Sequence, residues 1–325
     1  MAKNTKTILV TGAIGQIGSE LTALLRTRHG KDKVIASDIA ASSPAFGEAG
    51  PFERLDVTDR EALKTVVRKH RVDTIYHLAA ILSAVGENHP DKAWHVNMDG
   101  SQAVLEVARE ERSVRVFIPS SIAVFGPATP RRRTPQDTIL DPRTMYGVTK
   151  AAGEYLCDYY ARKFGLDIRG CRFPGIISHE TLPGGGTTDY AVSIFYDAVK
   201  TGKYTCFLKE ETRLPMMYMP DCLKSIVDLM DADSGRLKHH SNFNVTAMSF
   251  SAGELAAEIR KHIPGFVCAY KPDFRQAIAD SWPESLDDSA ARDEWGWAPS
   301  YDLAAMTADM LRALRKRKDE GRLEG

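Results

Sequence analysis

A tyrosine and a lysine one helical turn apart, with a serine upstream, form the most reactive combination in this sequence. Tyr146 and Lys150 occur in the segment YGVTK, and Ser121 ends the stretch VRVFIPSS. A neighbouring ammonium lowers the pKa of a phenol from its usual value of about 10. The spacing predicts Tyr146 as a general base and Ser121 as the holder of the substrate oxygen. Taken singly, each residue is also common in surface packing or in a helix cap.

Three glycines at a spacing of three residues lie near the N-terminus. The segment ILVTGAIGQIGSEL is typical of a buried strand that passes through Gly12, Gly15 and Gly18 into a helix. The first glycine permits a tight turn, the second lets a pyrophosphate approach the backbone, and the third lets helix and strand pack closely. The helix N-terminus adds free N–H groups. The segment predicts a dinucleotide site, with an ordinary tight turn as the alternative.

An aspartate twenty residues after the last glycine identifies the expected dinucleotide. Asp38 ends the apolar stretch KVIASDI, and no arginine follows it in residues 39–41. A carboxylate at this place accepts hydrogen bonds from the ribose hydroxyls and repels a 2′-phosphate, so NAD is favoured over NADP. Asp56 and Val57 end the next strand. They can contact the adenine, but a simple capping role for Asp56 is an equal alternative.

Strands and helices alternate through the first half of the chain, which predicts an α/β fold. The class is a Rossmann doubly wound parallel sheet with helices on both faces, plus a smaller C-terminal α/β substrate lobe. We expect a capping box of Thr58 and Glu61, and a long helix after Pro90. The predicted NAD-binding domain is 1–174 and the substrate lobe is 175–325, with strands of roughly 213–247 returning to the first domain. The predicted strands are 7–11, 33–39, 52–57, 73–80, 114–121 and 166–173.

The composition excludes several classes of function. The 325 residues carry 43 Lys+Arg and 43 Asp+Glu, so the formal net charge is zero. A balanced charge gives no basis for binding nucleic acid or an anionic membrane. The five cysteines form no CxxC pair, and no Cys/His spacing is typical of a metal site. We therefore expect a cytoplasmic protein with free thiols, no metal and a small-molecule substrate.

Together these motifs resemble the extended short-chain dehydrogenase/reductases, the group that includes UDP-galactose 4-epimerase. The matching segments are TGAIGQIGSEL, LDV, HLAA, PSSIAVFG, YGVTK and EWGWAPS, and they run through most of the chain. The resemblance implies a Ser-Tyr-Lys site in which Lys150 also orients the nicotinamide ribose. It also implies a homodimer joined through helices of the Rossmann domain. The NAD-binding residues that motifs and resemblance predict are Gly12, Gly15, Gln16, Ile17, Asp38, Asp56, Val57, Leu78, Ala79, Ala80, Asn97, Tyr146 and Lys150.

The substrate prediction rests on departures within that family. Members that act on sugar nucleotides usually carry an asparagine where this chain has Pro174 and Gly175. The segments RFPGIIS, LPGGGTTDYAV, RLPMMYMPD and ADSWPESLDDSAARDEWGW instead resemble the members that oxidise an amino acid. The resemblance implies oxidation of the L-threonine β-hydroxyl to L-2-amino-3-oxobutanoate, with hydride transfer to NAD.

Contacts to the substrate are predicted on three loops. Besides Ser121 and Tyr146, the expected residues are Ser83, Gly184, Thr187, Thr188 and Trp282. We expect Thr187 and Thr188 to begin a helix whose N–H groups suit a carboxylate. A capped flexible loop and a core aromatic are the alternatives. Two other functions stay open: a sugar-nucleotide epimerase or dehydratase without net cofactor turnover, and a non-catalytic NAD-binding sensor.

Overall fold

Six parallel strands form the central sheet of the computed structural model, which describes residues 6–41, 48–111, 114–181 and 184–323. Their order is β3-β2-β1-β4-β5-β7. Successive strands are added to one side of β1 as far as β3 and then to its other side from β4 onward. Ligands bind at such a switch point, outside the carboxyl ends of the strands. The predicted Rossmann class is confirmed. The strands are β1 (Ile8–Thr11), β2 (Val34–Asp38), β3 (Phe52–Arg54), β4 (Thr74–His77), β5 (Arg115–Phe117), β6 (Ser120–Ser121), β7 (Ile168–Arg169), β8 (Cys171–Phe173), β9 (Gly175–Ile177), β10 (Lys203–Cys206), β11 (Arg213–Tyr218), β12 (Phe243–Asn244), β13 (Met248–Ser251) and β14 (Val267–Tyr270).

Helices cover both faces of this sheet and surround the smaller sheets. Apolar residues of β1, β2 and β4 are fully buried because they face helices on each side. None of the helices in the described ranges is long and apolar enough to cross a membrane. The helices are α1 (Gln16–His29), α2 (Arg60–His70), α3 (Ser83–Asn88), α4 (Pro90–Trp94), α5 (Gly100–Glu111), α6 (Met145–Phe164), α7 (Tyr190–Lys200), α8 (Met219–Asp231), α9 (Ala252–His262), α10 (Arg275–Ser281), α11 (Ser289–Trp295) and α12 (Leu303–Asp319).

Two predicted elements are interrupted in the structure. The expected strand 114–121 is divided into β5 and β6 because Pro119 has no N–H to donate to a ladder. The expected long helix after Pro90 is divided by a π-helical turn at His95–Asp99. That turn carries Asn97 inward, and such turns often occur at functional sites.

The predicted capping box at the start of α2 is wrong. The N-cap is Asp59, whose carboxylate accepts a hydrogen bond from the N–H of Ala62. Thr58 instead donates its hydroxyl to Asp56, over 2.7 Å. Asp59, one residue after Thr58, therefore supplies the capping acceptor instead of Thr58. The capping box of Ser251 and Glu254 at the start of α9 is present.

Three small sheets build the rest of the molecule. They have the orders β12-β8-β6, β13-β11-β9 and β10-β14. In the first of them β8 pairs in parallel with both β6 and β12, so Ser121 lies beside Phe173. β11 pairs with β9 and β13 rather than with the six-stranded sheet. The division into domains 1–174 and 175–325 stays a prediction.

Candidate active site

One cavity of about 220 Å³ opens at the carboxyl ends of β1, β4 and β6. It brings together all three predicted catalytic residues, Ser121, Tyr146 and Lys150. Among the predicted cofactor residues, those that line it are Gly12, Gly15, Gln16, Ile17, Leu78 and Ala80. Among the predicted substrate residues, those that line it are Ser83, Thr187, Thr188 and Trp282. One cavity therefore joins the glycine loop to the candidate catalytic groups.

The glycine loop has no room for side chains. Gly12 has a φ of +66°, and a Cβ on it would lie 2.6 Å from the backbone nitrogen of Ala79. A Cβ on Gly18 would lie 2.1 Å from the carbonyl oxygen of Gly12. Gly15 caps α1 with no side-chain acceptor, so the first N–H groups of the helix are open to an anion. The side-chain amide nitrogen (Nε2) of Gln16 is buried and, within the described residues, unpaired. These features fit a pyrophosphate.

Asp38 is held against this loop by backbone donors. The N–H of Ile14 donates to one of its carboxylate oxygens and the N–H of Ala40 to the other, both over 3.1 Å. Each oxygen keeps a second lone pair, and these can accept the two hydroxyls of a ribose. The position at the end of β2 is the one that the sequence predicted for NAD selectivity.

Replacing Asp38 by alanine should reduce the preference for NAD over NADP. Loss of a charge-assisted hydrogen bond costs about 1.5–3 kcal/mol, so we expect the ratio of kcat/KM for NAD to that for NADP to fall roughly tenfold or more. Asp32→Ala is the control, because Asp32 is exposed and lies just before the opposite end of β2. An unchanged ratio in Asp38→Ala would assign the selectivity to another group.

Other predicted cofactor residues lie around the cavity rather than in its wall. Asp56 is exposed, and its two hydrogen bonds from Thr58 lower its pKa. Val57 is buried against Gly100. The side-chain amide of Asn97 already has hydrogen-bond partners in the protein. Its oxygen accepts from the Ile81 N–H, and its nitrogen donates to the Ile81 carbonyl and, over 3.0 Å, to the Thr149 hydroxyl. Asn97 therefore ties the loop after β4 to α6 and positions the helix that carries Tyr146.

Helix α6 sets the catalytic groups side by side. Its N-cap is Thr144, whose hydroxyl accepts from the N–H of Gly147. The Lys150 ammonium lies 5.6 Å from the centroid of the Tyr146 ring and donates to the carbonyl of Pro119 over 2.7 Å. The Ser121 hydroxyl hydrogen-bonds the Tyr146 phenol. The predicted general base, its neighbouring cation and the hydroxyl predicted to bind the substrate oxygen thus line one cavity.

The chain without ligands does not show the lowered Tyr146 pKa that is expected from Lys150 together with the positive charge of oxidised NAD. Burial raises the pKa of Tyr146 to about 12, and the Ser121 hydrogen bond opposes that shift. Lys150 is directed at a carbonyl rather than at the phenol oxygen. Burial also lowers the pKa of Lys150 to about 8, while Glu154 acts in the opposite direction. The phenol is therefore neutral, and the amine largely charged, at pH 7.

A buried ion pair behind this wall was missed by the sequence analysis. Arg172 and Glu154 are 3% and 5% exposed, and the guanidinium contacts both carboxylate oxygens over 2.8 and 2.7 Å. Glu154 also accepts from the hydroxyl of Ser120, the neighbour of Ser121, over 2.5 Å. The pair fixes α6 to the strands β6 and β8. The sequence signal for Glu154 was its spacing of four residues from Lys150, which places both side chains on the same face of α6.

Another part of the cavity lining comes from the loop between β9 and α7. The Ser83 hydroxyl accepts from the N–H of Thr187, over 3.3 Å, and lies 3.2 Å from the Thr187 hydroxyl. The expectation that the two threonines begin a helix is wrong, because α7 begins at Tyr190 and the preceding residues form a turn. Gly184 is exposed and lies outside the cavity wall. Residues 182 and 183, predicted as part of this glycine-rich loop, lie outside the described residues.

Two side chains complete this wall. Trp282 is 4% exposed, and its indole nitrogen has no hydrogen-bond partner within the described residues. Asp189, which the sequence analysis did not single out, also lines the cavity. In the described ranges no group of three or more metal-binding side chains is placed to hold a metal ion.

The comparisons with known proteins agree with this geometry. An uncharacterised epimerase/dehydratase of Staphylococcus haemolyticus is 50% identical over 315 residues, 96% of this chain and 98% of that protein. The solved L-threonine dehydrogenase of Clostridium difficile is 53% identical, with a TM-score of 0.94 over 99% of this chain and all of that one. A monomeric L-threonine 3-dehydrogenase from a metagenome is 48% identical, with a TM-score of 0.92 over 95% of this chain and 99% of that one.

The family model extends over the glycine loop, the catalytic helix and the strands that surround the cavity. It is described as the NAD dependent epimerase/dehydratase family and matches residues 8–245, well over half of the chain. These residues include the loop that fits a pyrophosphate and the Ser121, Tyr146 and Lys150 side chains. This chain therefore belongs to the NAD dependent epimerase/dehydratase family.

Proposed function

We propose that this protein oxidises the β-hydroxyl of L-threonine to L-2-amino-3-oxobutanoate, with NAD as the oxidant. The observation that carries the proposal is the single cavity in which Tyr146, Ser121 and Lys150 adjoin the glycine loop. The solved dehydrogenases that act on L-threonine, at 53% and 48% identity, support the choice of substrate. Such a reaction would serve threonine breakdown towards glycine or aminoacetone.

Ser121, Tyr146 and Lys150 have separate roles in the oxidation of the substrate hydroxyl. Ser121 donates a hydrogen bond to the substrate oxygen and stabilises it as it becomes a carbonyl. Tyr146, once it is ionised beside the positive charges of Lys150 and of bound oxidised NAD, accepts the hydroxyl proton as general base. Lys150 donates a hydrogen bond to the Pro119 carbonyl, which fixes its position. In that position it can orient the nicotinamide ribose, and its positive charge stays close to the Tyr146 phenol. Oxidised NAD, when bound, supplies the hydride acceptor and further positive charge.

The charge of the wall favours a small zwitterion over a sugar nucleotide. Among the described residues that line the cavity, Lys150 is the only basic one, and it already donates to the Pro119 carbonyl. Pro174 and Gly175, which also line it, offer no side-chain donor to a second diphosphate. An epimerase or dehydratase acting on a UDP-sugar has less support from these residues, and the alternative of a non-catalytic sensor leaves Tyr146 and Lys150 without a role.

The proposal is tested by following the NADH absorbance with a panel of substrates. The purified protein should reduce NAD with L-threonine, and much less with L-serine or D-threonine. UDP-glucose and UDP-galactose should give neither NADH nor interconversion. No reaction with L-threonine, together with turnover of a UDP-hexose, would contradict the proposal and favour the epimerase.

An apolar stripe on α6 supports a homodimer. Val148, Tyr155 and Tyr159 are 38%, 64% and 52% exposed and follow one face of the helix at spacings of seven and four. Exposed aromatic residues on a single face are typical of interfaces. The proposed cytoplasmic location is consistent with five free cysteines.

The double substitution Tyr155→Glu and Tyr159→Glu should convert the dimer into a monomer, because it places charge in the proposed interface. Light scattering after gel filtration measures the mass directly. Phe274→Glu is the control, since Phe274 is 57% exposed elsewhere on the surface. A wild-type protein with the mass of one chain would contradict the dimer.

A further inference from the structure

A carboxylate lines the same cavity as Tyr146. Asp189 lies on the turn before α7, next to Thr187 and Thr188. Among the described residues that line the cavity it is the only acidic one. The oxidation chemistry assigned to Tyr146, Ser121 and Lys150 does not use it. A charged group in a small reaction cavity therefore has no assigned role.

The hydrogen bonds of Asp189 leave one oxygen available. The N–H groups of Gly185 and Gly186 donate to Oδ2 over 2.9 and 2.7 Å. The hydrogen bonds of the described residues include none that reaches Oδ1, and no basic nitrogen there lies within ion-pair distance. The cation that acts on it from a distance, Arg275, is bound to Asp273 and stacked 3.2 Å from the Phe207 ring centroid.

The environment makes a cationic partner favourable. Burial raises the pKa of Asp189, and the two glycine N–H groups oppose that shift. A buried carboxylate is stabilised by an opposite charge within hydrogen-bonding distance. An α-amino acid carries such a charge on the carbon next to its β-hydroxyl. Trp282, whose buried indole N–H is unpaired among the described residues, also lines this cavity.

We propose that Asp189 binds the ammonium group of the substrate and so restricts the site to β-hydroxy α-amino acids. The inference rests on the proposed oxidation of L-threonine and names the residue that selects for its amino group. Ser121 and Tyr146 bind the hydroxyl, while Asp189 binds the ammonium. The same negative charge disfavours the diphosphate of a sugar nucleotide.

The test is the substitution Asp189→Asn. An amide oxygen still accepts from Gly185 and Gly186, so the loop keeps its hydrogen bonds while the charge is lost. Calorimetry on protein saturated with NADH measures the affinity for L-threonine and for (R)-3-hydroxybutanoate. The second compound has the same hydroxyl, methyl and carboxylate groups but no ammonium.

The decisive quantity is the ratio of the two affinities. We expect Asp189→Asn to weaken the binding of L-threonine about 30-fold, which is the scale of one lost charged hydrogen bond. The binding of (R)-3-hydroxybutanoate should weaken less than about threefold. A ratio that stays within about threefold of the wild-type value would overturn the inference and make Asp189 a loop anchor only. Wild-type protein that fails to oxidise L-threonine contradicts the proposed function instead, so the two failures are distinct.

Discussion

The substitution Tyr146→Phe is expected to lower kcat about 10³-fold while NAD still binds with wild-type affinity. The phenol is the group placed to take the substrate proton, and a positioned general base contributes about 10²–10⁴-fold. The ring that packs against Lys150 is retained, so the cavity keeps its shape. Steady-state kinetics with L-threonine and a separate NAD titration measure the two effects.

Tyr155→Phe is the matched control for that substitution. Tyr155 lies on the same helix but outside the cavity, and phenylalanine keeps the ring that the proposed interface uses. Loss of its hydroxyl should therefore leave turnover within about twofold of wild type. A Tyr146→Phe protein that keeps more than a tenth of the wild-type rate would show that another group accepts the proton. Equal losses in both variants would indicate damage to α6 rather than to the chemistry.

Gly18→Ala should abolish NAD binding. The added Cβ would lie 2.1 Å from the carbonyl oxygen of Gly12, and backbone atoms on both sides must move to relieve that overlap. Because the displaced turn is the one that fits the pyrophosphate, we expect the affinity for NAD to fall at least about 100-fold. Calorimetric titration with NAD measures the affinity, and circular dichroism establishes whether the fold persists.

Gly265→Ala is the control for the loop, because a Cβ on Gly265 has no neighbour within 4 Å. It should bind NAD as the wild type does. If Gly18→Ala binds NAD with wild-type affinity, the glycine loop is not the pyrophosphate site. Loss of binding in both variants would point to global unfolding.

The sequence was most informative where one residue type is required by local geometry. Gly12, Gly18 and Asp38 were predicted correctly in position because a tight turn and a strand end fix their surroundings. Tyr146 and Lys150 were placed correctly on one helix face because helical periodicity alone decides it. These features depend on neighbours along the chain.

The features that the sequence could not predict depend on distant neighbours. The pKa of Tyr146 is raised because several segments bury it, and no spacing within YGVTK shows that burial. Arg172 meets Glu154 only because β8 packs beside α6. The cap at Asp59 and the break at Pro119 could have been predicted from the sequence, because Asp is a strong N-cap and proline cannot donate a hydrogen bond to a β-ladder.

The role of Asp189 illustrates the same limit. In the sequence GGGTTDYAV it is one polar residue before an apolar helix, which is most simply a cap. In the structure it accepts hydrogen bonds from the glycines before it rather than from the helix after it, and it lines the cavity. Only the packing of this loop beside the other residues of the cavity brings Asp189 into its lining.

The most direct test of the proposed reaction follows the hydrogen of the β-carbon. L-threonine deuterated at that carbon is incubated with NAD and the protein, and the NADH is isolated for mass spectrometry. Direct hydride transfer predicts NADH heavier by one mass unit, with a slower rate than for unlabelled L-threonine if the transfer limits turnover. Unlabelled NADH, or no NADH at all, would contradict the account.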